Sequence, residues 1–424
     1  VIKTLALITL LFSSICFSAI IQYTFNTQSR VGYHLAGVKD LSSHRHELET
    51  NNIIRFPNPW SLGFGLRAFV EAAYASNGSR YADPVRTRDS QDFLLRDLYL
   101  QYKAGALTMK LGNQQVVWGE AFGFYYADLV NPKDFRDFGI GPLEKNRLHT
   151  PMANFKWNFN ENIVQFIYIP KPYFNKSPSI GSDFAFPFTS FFPGTGVTFN
   201  DERSLPWGSN NSEYGLRLSP GFSSVDLSIL YMNYYDRAPI YVSSNNSGQT
   251  QVIGKHPKME TFGITFSTPA DKFVIRSEFL YHRNKSFNYF TGNLDYFKAN
   301  QFVGVIGLDY IVGDRWRMGL QASESYRSQS FAGELEKNST QLITAHGSFT
   351  TLPGQNLDIL FAYAPHDGGS LTELSYDFAL NKRVELILAA DLFNGSSSSQ
   401  FGLYHPASRG YIQLKTLLGS EAKL

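Results

Sequence analysis

The sequence predicts an all-β protein: a transmembrane antiparallel up-and-down β-barrel of about 18 strands (16–18), with short periplasmic turns and long extracellular loops. Three observations lead there. Aromatic residues make up 15% of the chain and charged residues only 17%, against about 25% charged in ordinary soluble domains. Apolar and polar residues alternate with period two in segment after segment, which marks strands with one apolar face. Short and long connections also alternate along the chain, the rhythm of an outer-membrane barrel.

The same composition excludes other classes. A disordered chain would have few aromatics and a high net charge; here the net charge is +2. That charge also gives no reason to expect nucleic acid. After residue 20 no apolar run approaches the roughly 18–20 residues that a spanning helix needs.

Residues 1–18 read as a secretory signal. Lys3 precedes an apolar run from Leu5 to Phe12, and small residues lead to cleavage after Ser18. Removal of that segment takes away Cys16, the only cysteine, so residues 19–424 would form one domain without disulfides or thiolate metal sites.

The strands follow in order. Over 62–75, Leu62, Phe64, Leu66, Ala68, Val70 and Tyr74 share one face, and Gly63, Gly65, Arg67 and Glu71 lie on the other. Phe273, Ile275, Phe279 and Tyr281 oppose Arg276, Glu278 and His282. Trp316, Met318 and Leu320 oppose Arg315, Arg317 and Gln321, and Val384, Leu386, Leu388 and Leu392 oppose Glu385 and Asp391. Tyr411 to Lys415 read as the last strand.

Eight short connections, near 56–61, 103–106, 158–161, 219–224, 268–271, 312–314, 352–356 and 380–382, carry the Gly, Pro, Asn or Asp of tight turns. Longer segments lie between them, at 37–43, 77–91, 118–150, 171–211, 237–257, 285–297, 328–338, 367–369 and 394–400. A bilayer tolerates β-structure only as a closed barrel, because no lipid-facing backbone group can stay unpaired. Tyr74, Tyr102, Tyr231, Tyr281, Tyr310, Tyr363 and Phe393 at strand ends suit interfacial aromatic girdles.

The segment 111–152 breaks the rhythm. Its residues Gly112-x-Gln114-x-Val116-x-Trp118-Gly119-Glu120, then Asn131-Pro132-x-Asp134, Arg147 and Pro151-Met152, stand out as a motif. This stretch resembles the hallmark of a Gram-negative outer-membrane porin-like family of largely unknown function. The resemblance implies barrel membership; some members of that family are suspected of passing hydrophobic compounds or of aiding lipid traffic.

Read from its residues alone, the insertion 118–150 is too aromatic for a solvated loop, with Phe122, Phe124, Tyr125, Tyr126, Phe135 and Phe138. Three placements are open: packing at the outer rim, which leads, folding inward to constrict the lumen, or presenting a partner-binding surface. In the inward case Glu120 would reach Arg136, Lys145 or Arg147. Asn131-Pro132 reads as the stop of a short helix and the start of a turn. The second insertion, 171–211, is rich in Phe and Pro (Phe174, Phe184, Phe186, Phe188, Phe191, Phe192, Pro193) and reads as a compact lid.

No catalytic constellation is present. His44-x-His46 has no third metal ligand nearby, and Ser348 beside His346 or Ser277 near His282 are pairings that a Ser-rich barrel produces by chance. Neither an enzyme activity, a cofactor nor a metal is therefore expected. The leading function is a porin-like channel for passive or weakly selective passage of small solutes. The alternatives are a carrier of hydrophobic compounds or lipids, and a closed structural or partner-binding barrel. Candidate pore-lining or constricting residues are Arg67, Glu71, Lys110, Trp118, Glu120, Asp134, Arg136, Arg147, Arg276, Glu278, Arg315, Arg317, Glu385 and Asp391, with Glu373 and Asp377 beside them. Both signs are represented, which argues against strong ion selectivity. Expected partners are outer-membrane lipid and lipopolysaccharide, a small-molecule solute and the barrel-assembly machinery.

Overall fold

The computed structural model describes residues 19–423 except 58, 79, 120, 122–123, 139–145, 188–190, 193–195, 201–204, 247–248 and 314. The expected signal segment 1–18, and Glu120, Phe122, Lys145, Phe188 and Pro193, lie outside the described residues.

Period-two alternation becomes one antiparallel sheet of 18 strands. In chain order these are β1 (Ile20–His34), β2 (Leu41–Arg55), β3 (Trp60–Glu71), β4 (Gln91–Ala104), β5 (Leu107–Gln114), β6 (Thr150–Phe159), β7 (Asn162–Ile169), β9 (Glu213–Ser219) and β10 (Asp226–Tyr235). The second half comprises β13 (Lys258–Ala270), β14 (Phe273–Phe290), β15 (Leu294–Val312), β16 (Trp316–Arg327), β17 (Ser339–Leu352), β18 (Gln355–Ala364), β19 (Gly369–Ala379), β20 (Val384–Asn394) and β21 (Arg409–Lys423). The sheet closes on itself: β21 pairs with β1 from Ile20↔Lys423 to His34↔Arg409. Closure satisfies the ladder of every strand and leaves no edge.

The faces sort as the alternation requires. Along β3, Phe64 and Val70 point outward and are exposed, whereas Arg67, Phe69 and Glu71 point inward and are buried. Phe279, Trp316, Leu320 and Leu388 are likewise exposed outside. Trp60–Tyr102, Phe273–Tyr310 and Trp316–Phe349 ring pairs line the short-turn rim at 4.8, 4.8 and 5.5 Å between centroids. Tyr231–Phe262 and Tyr281–Phe302, at 4.9 and 4.8 Å, form a second belt nearer the long loops. All eight expected short connections are turns; Asn160 and Asp271 take positive φ there (53° and 57°).

Four expectations need correction. Strand β3 ends at Glu71, whose side chain accepts from the Ala73 amide and caps a helical turn, α1 (Ala72–Ser76). Tyr74 therefore leaves the girdle and packs inward on Tyr81, 4.8 Å away. Phe393 also points inward, into a core with Phe184, Phe401 and Leu371. The expected loop 285–297 is instead a continuation of β14 and β15, joined at 291–293. Finally, the segments 171–211 and 237–257 contain three further strands, β8 (Gly196–Asn200), β11 (Ile240–Asn246) and β12 (Gln249–Lys255), which form a small sheet of their own. That sheet stands on the raised β14–β15 hairpin, where the Tyr241 amide donates to Asn288 Oδ1 at 2.9 Å.

Candidate functional site

The loop between β5 and β6, residues 115–149, folds into the barrel. This corrects the leading expectation of packing at the outer rim. Its anchors are polar groups that the lumen buries. Glu278 on β14 is fully buried and accepts three loop amides: Ala121 at 2.8 Å, Tyr126 at 3.0 Å and Ala127 at 2.8 Å. A carboxylate facing three N–H donors is a strong, charge-assisted clasp. On β16, Gln321 Nε2 donates to the Phe124 carbonyl (3.2 Å), and Ser323 Oγ lies 3.0 Å from the Tyr126 hydroxyl. Farther round, Asp137 accepts from Arg30 Nη2 on β1 and Arg409 Nη1 on β21, both at 2.5 Å. The loop thus bridges walls that lie far apart in the sheet.

The motif residues explain how the loop leaves the wall. Trp118 is fully buried, and its Nε1–H donates to Gln165 Oε1 at 3.1 Å. Gln165 donates on to Asn154 (2.9 Å), and Asn154 to Gln114 (3.2 Å), so a polar ladder crosses β7, β6 and β5. Trp118 fits because Gly215 lies opposite; a Cβ there would come within 2.6 Å of the indole. Gly119 serves the clasp, since a Cβ at that position would sit 2.9 Å from the Glu278 carboxylate. Asn131 does not end a helix. Its side chain accepts from the Val116 amide (2.7 Å) and donates to the Gln114 and Leu148 carbonyls (3.1 and 2.9 Å), pinning both ends of the loop together.

One flank of the loop is apolar. Val116, Trp118, Ala127, Leu129 and Val130 pack on an inner wall of Ile167, Ile169, Leu230, Met232, Leu280 and Val303. Arg237 holds the same stretch from above: it makes two 2.8 Å bonds to Glu213 and donates to the Val130 carbonyl at 2.9 Å. This half of the lumen is filled. What stays open is eccentric, beside β1–β3 and β16–β21.

Three cavities follow one another along the open side. An outer vestibule of 1140 Å³ is lined by Asp89, Asp92 and Arg136 at its floor. Below it lies a throat of 40 Å³, lined by Asp89 and Arg136 again and by Arg45, Arg67, Phe69, Glu71, Asp134 and Asp137. An inner chamber of 810 Å³ shares Arg45, Arg67, Asp137 and Asn146 with the throat. The throat has room for about three waters, at ~10–15 Å³ each on this measure.

Most of its charges are paired, while Asp89 accepts from the Ser179 amide and hydroxyl at 2.8 and 3.0 Å. Arg67 Nη2 donates to Glu47 at 2.8 Å, and Arg136 reaches Asp134 at 2.6 Å and Asp92 at 2.7 Å. Arg45 stacks over the Phe69 ring, 3.6 Å from its centroid. Glu71 accepts from Ser43 Oγ at 2.8 Å. Burial penalises the Asp137 carboxylate, yet the Arg30, Arg409 and Arg45 guanidiniums outweigh it and hold its carboxyl well below the ordinary range.

The structure therefore gathers Arg67, Glu71, Asp134 and Arg136 at the throat. Arg147 pairs with Asp128 at 2.8 Å inside the loop and touches the inner chamber, as do Arg317 and Asp391. Trp118 and Glu278 position the loop and do not line the throat. Lys110 packs on the Tyr99 ring, Arg276 pairs with Asp309 (2.8 Å) and Glu385 with Lys415 (2.8 Å) on the wall. Arg315 is at the short-turn rim. Sequence reasoning missed Arg45, Asp137, Gln165 and Arg237, although Arg45 has the inward parity of its strand.

The outer mouth is braced by three loops. His34 Nδ1 lies 2.8 Å from Asp40, and Asp183 accepts from Arg80 at 2.7 Å and from the Tyr81 hydroxyl at 2.9 Å. Phe184 packs against Phe138 at 5.5 Å, so the 171–211 insertion covers the infolded loop.

A family model described as "Protein of unknown function (DUF1302)" matches residues 35–358, which include the whole 112–152 motif. The chain belongs to this family. It is the porin-like family of unknown function that the motif resembles. No curated protein matches the chain. Among solved structures, Acinetobacter baumannii OccAB1 superposes with a TM-score of 0.55 at 10% identity, covering 96% of this chain and 98% of that one. Pseudomonas aeruginosa OccK8 (OprE) gives 0.54 at 9% identity, covering 95% and 98%. Acinetobacter baumannii OccAB3 gives 0.51 at 10% identity, covering 95% and 99%. At such identities the likeness establishes the fold of this DUF1302 chain, a closed 18-stranded barrel of the outer-membrane porin kind.

Proposed function

We propose that this DUF1302 protein is a channel in the outer membrane of a Gram-negative bacterium that passes small solutes with weak charge selectivity, and not an enzyme. The observation that carries this reading is the series of vestibule, throat and chamber, each sharing lining residues with the next. The throat opposes Arg45, Arg67 and Arg136 to Glu71, Asp89, Asp134 and Asp137, so neither sign dominates. Passage of anything larger than water requires the long Arg side chains to swing aside. Lipid and lipopolysaccharide would cover the apolar outer face, and barrel-assembly machinery would insert it. The test is planar-bilayer recording with the purified barrel: small, discrete conductance steps of weak ion preference are expected. Absence of any step would favour a closed, partner-binding barrel, a reading to which the small throat volume also points.

Membrane placement has its own test. Leu66→Arg, near the middle of the outer face of β3, should lower barrel stability by about 2–4 kcal/mol. Glu385→Leu on the inner face removes only a half-exposed pair with Lys415 and should cost about 1 kcal/mol or less. Denaturant titration in detergent or liposomes measures both; equal costs would sink the inside–outside assignment.

Asp137 sets the balance of the inner chamber. Asp137→Asn leaves Arg30, Arg45 and Arg409 without their shared carboxylate, so reversal potentials should move toward anion preference. The carboxyl titrates below its unfolded value of about 3.9, so its stabilising contribution is complete above that pH and is lost only as pH falls below it. The wild-type selectivity contributed by this group should accordingly stay constant from neutral pH to about pH 5. A selectivity unchanged in the variant would remove Asp137 from the permeation path.

A further inference from the structure

The vestibule has two unlike faces. On one side Ile180, Phe186, Val197, Phe199 and Leu335 turn apolar groups toward the cavity. Val197 and Phe199 stand two residues apart on the small lid strand β8, hence on one face of it. Phe186 stacks on Phe191, 6.0 Å away, yet keeps 39% of its surface exposed. Apolar surface held open around a cavity marks a place where an apolar group binds. On the other side, toward the throat, stand Arg88, Arg136 and Lys176 with Asp89 and Asp92. Asp92 is shared by Arg136, at 2.7 Å, and Lys176. With Glu336 added, the cavity has as many carboxylates as cations.

From this we infer that the vestibule is a binding site for amphipathic solutes with an apolar ring or chain and a polar end of zero net charge, neutral or zwitterionic. The inference rests on the channel reading for where the solute goes next. The cavity, 1140 Å³, slightly exceeds the usual range of small-ligand sites, about 300–1,000 Å³, and so has room for a ring or chain and its polar end. Orientation follows from the shared residues. Arg136 and Asp89 belong to both vestibule and throat, so the polar end faces the throat while the apolar part rests against the lid sheet. A fully polar solute finds no hold on the lid side. A wholly apolar one meets a throat of paired charges that it cannot solvate. A solute with net charge would unbalance a cluster that is already matched.

Two zwitterions test this. Cyclohexylaminopropanesulfonate carries a ring on a zwitterionic end; aminopropanesulfonate has the same end without the ring. Added on the long-loop side of conducting wild-type channels, the ring-bearing compound should interrupt the potassium chloride current at a concentration at least about tenfold lower. In the Phe186→Asn/Phe199→Asn double variant, and to a lesser degree in Leu335→Asn, the two compounds should converge, read on channels that still conduct. Equal blocking by both compounds in the wild type overturns the site. Equal or stronger blocking by cyclohexylpropanesulfonate, a net anion, overturns the zero-charge assignment. If the wild type passes no current, the channel reading fails separately. Saturation-transfer NMR on nanodisc-embedded barrels then decides the vestibule: ring-dependent binding lost in the double variant supports it, and ring-independent or absent binding overturns it.

Discussion

Glu278→Gln should release the infolded loop while leaving the barrel assembled. The carboxylate accepts the Ala121 amide on one oxygen and the Tyr126 and Ala127 amides on the other. A carboxamide keeps one acceptor oxygen and turns an NH₂ group toward the remaining donors. At least one buried N–H is then left facing another donor in a dry site, and the charge that strengthened all three bonds is gone. The expected cost to the docked loop is about 3–5 kcal/mol. Because it falls on local opening and not on the ladder, it appears in hydrogen exchange. Protection of the Ala121, Tyr126 and Ala127 amides should drop by roughly a hundredfold to several thousandfold, with wall amides of β14 unchanged. Current recordings should become noisier, since a loosely seated loop leaves and re-enters the throat. Unchanged protection would mean that Trp118 and the apolar flank seat the loop without the clasp.

The barrel was legible in the sequence because its signal is local. Each strand announces its two faces within about ten residues, and closure follows from the bilayer's demand on the backbone. The same parity also contained information that a reading by strand ends overlooks. Leu392 points outward, so Phe393 beside it has to point inward, where it is found at 1% exposure. Tyr74 has outward parity only if β3 continues; the Glu71 side chain ends the strand by capping α1, and parity is lost with it. The β8–β12 pairing is parallel and joins short segments from two different loops, with no alternation long enough to notice. The placement of 115–149 was not legible for a different reason. Its partners are Glu278, about 150 residues on, and Arg409, 272 residues from Asp137. An excess of aromatics says that a loop must bury them, but it does not say where, and the rim is the nearest of three destinations. Only the long-range polar partners choose among them.

Replacing residues 119–147 by a short Gly-Ser turn should have the largest effect on conductance. The deletion removes Asp134, Arg136 and Asp137 from the throat and uncovers the lumen beside Ile167, Leu230, Met232 and Val303. An unplugged barrel of this strand number encloses a wide aqueous channel, so conductance should rise several-fold over wild type and larger sugars should enter liposomes. Stability should fall at the same time. The newly wetted wall loses the loop's apolar side chains, each worth about 1.5–3 kcal/mol when fully buried, while Arg30 and Arg409 lose their shared acceptor. The closed hydrogen-bond ladder does not depend on the loop, so folded barrel should still form and melt at a lower temperature. The two readouts separate the roles. A rise in conductance with a fall in melting temperature fits a loop that both fills the apolar half and narrows the charged half. A fall in melting temperature with conductance unchanged would leave the loop as a packing element only, with the permeation path elsewhere in the lumen.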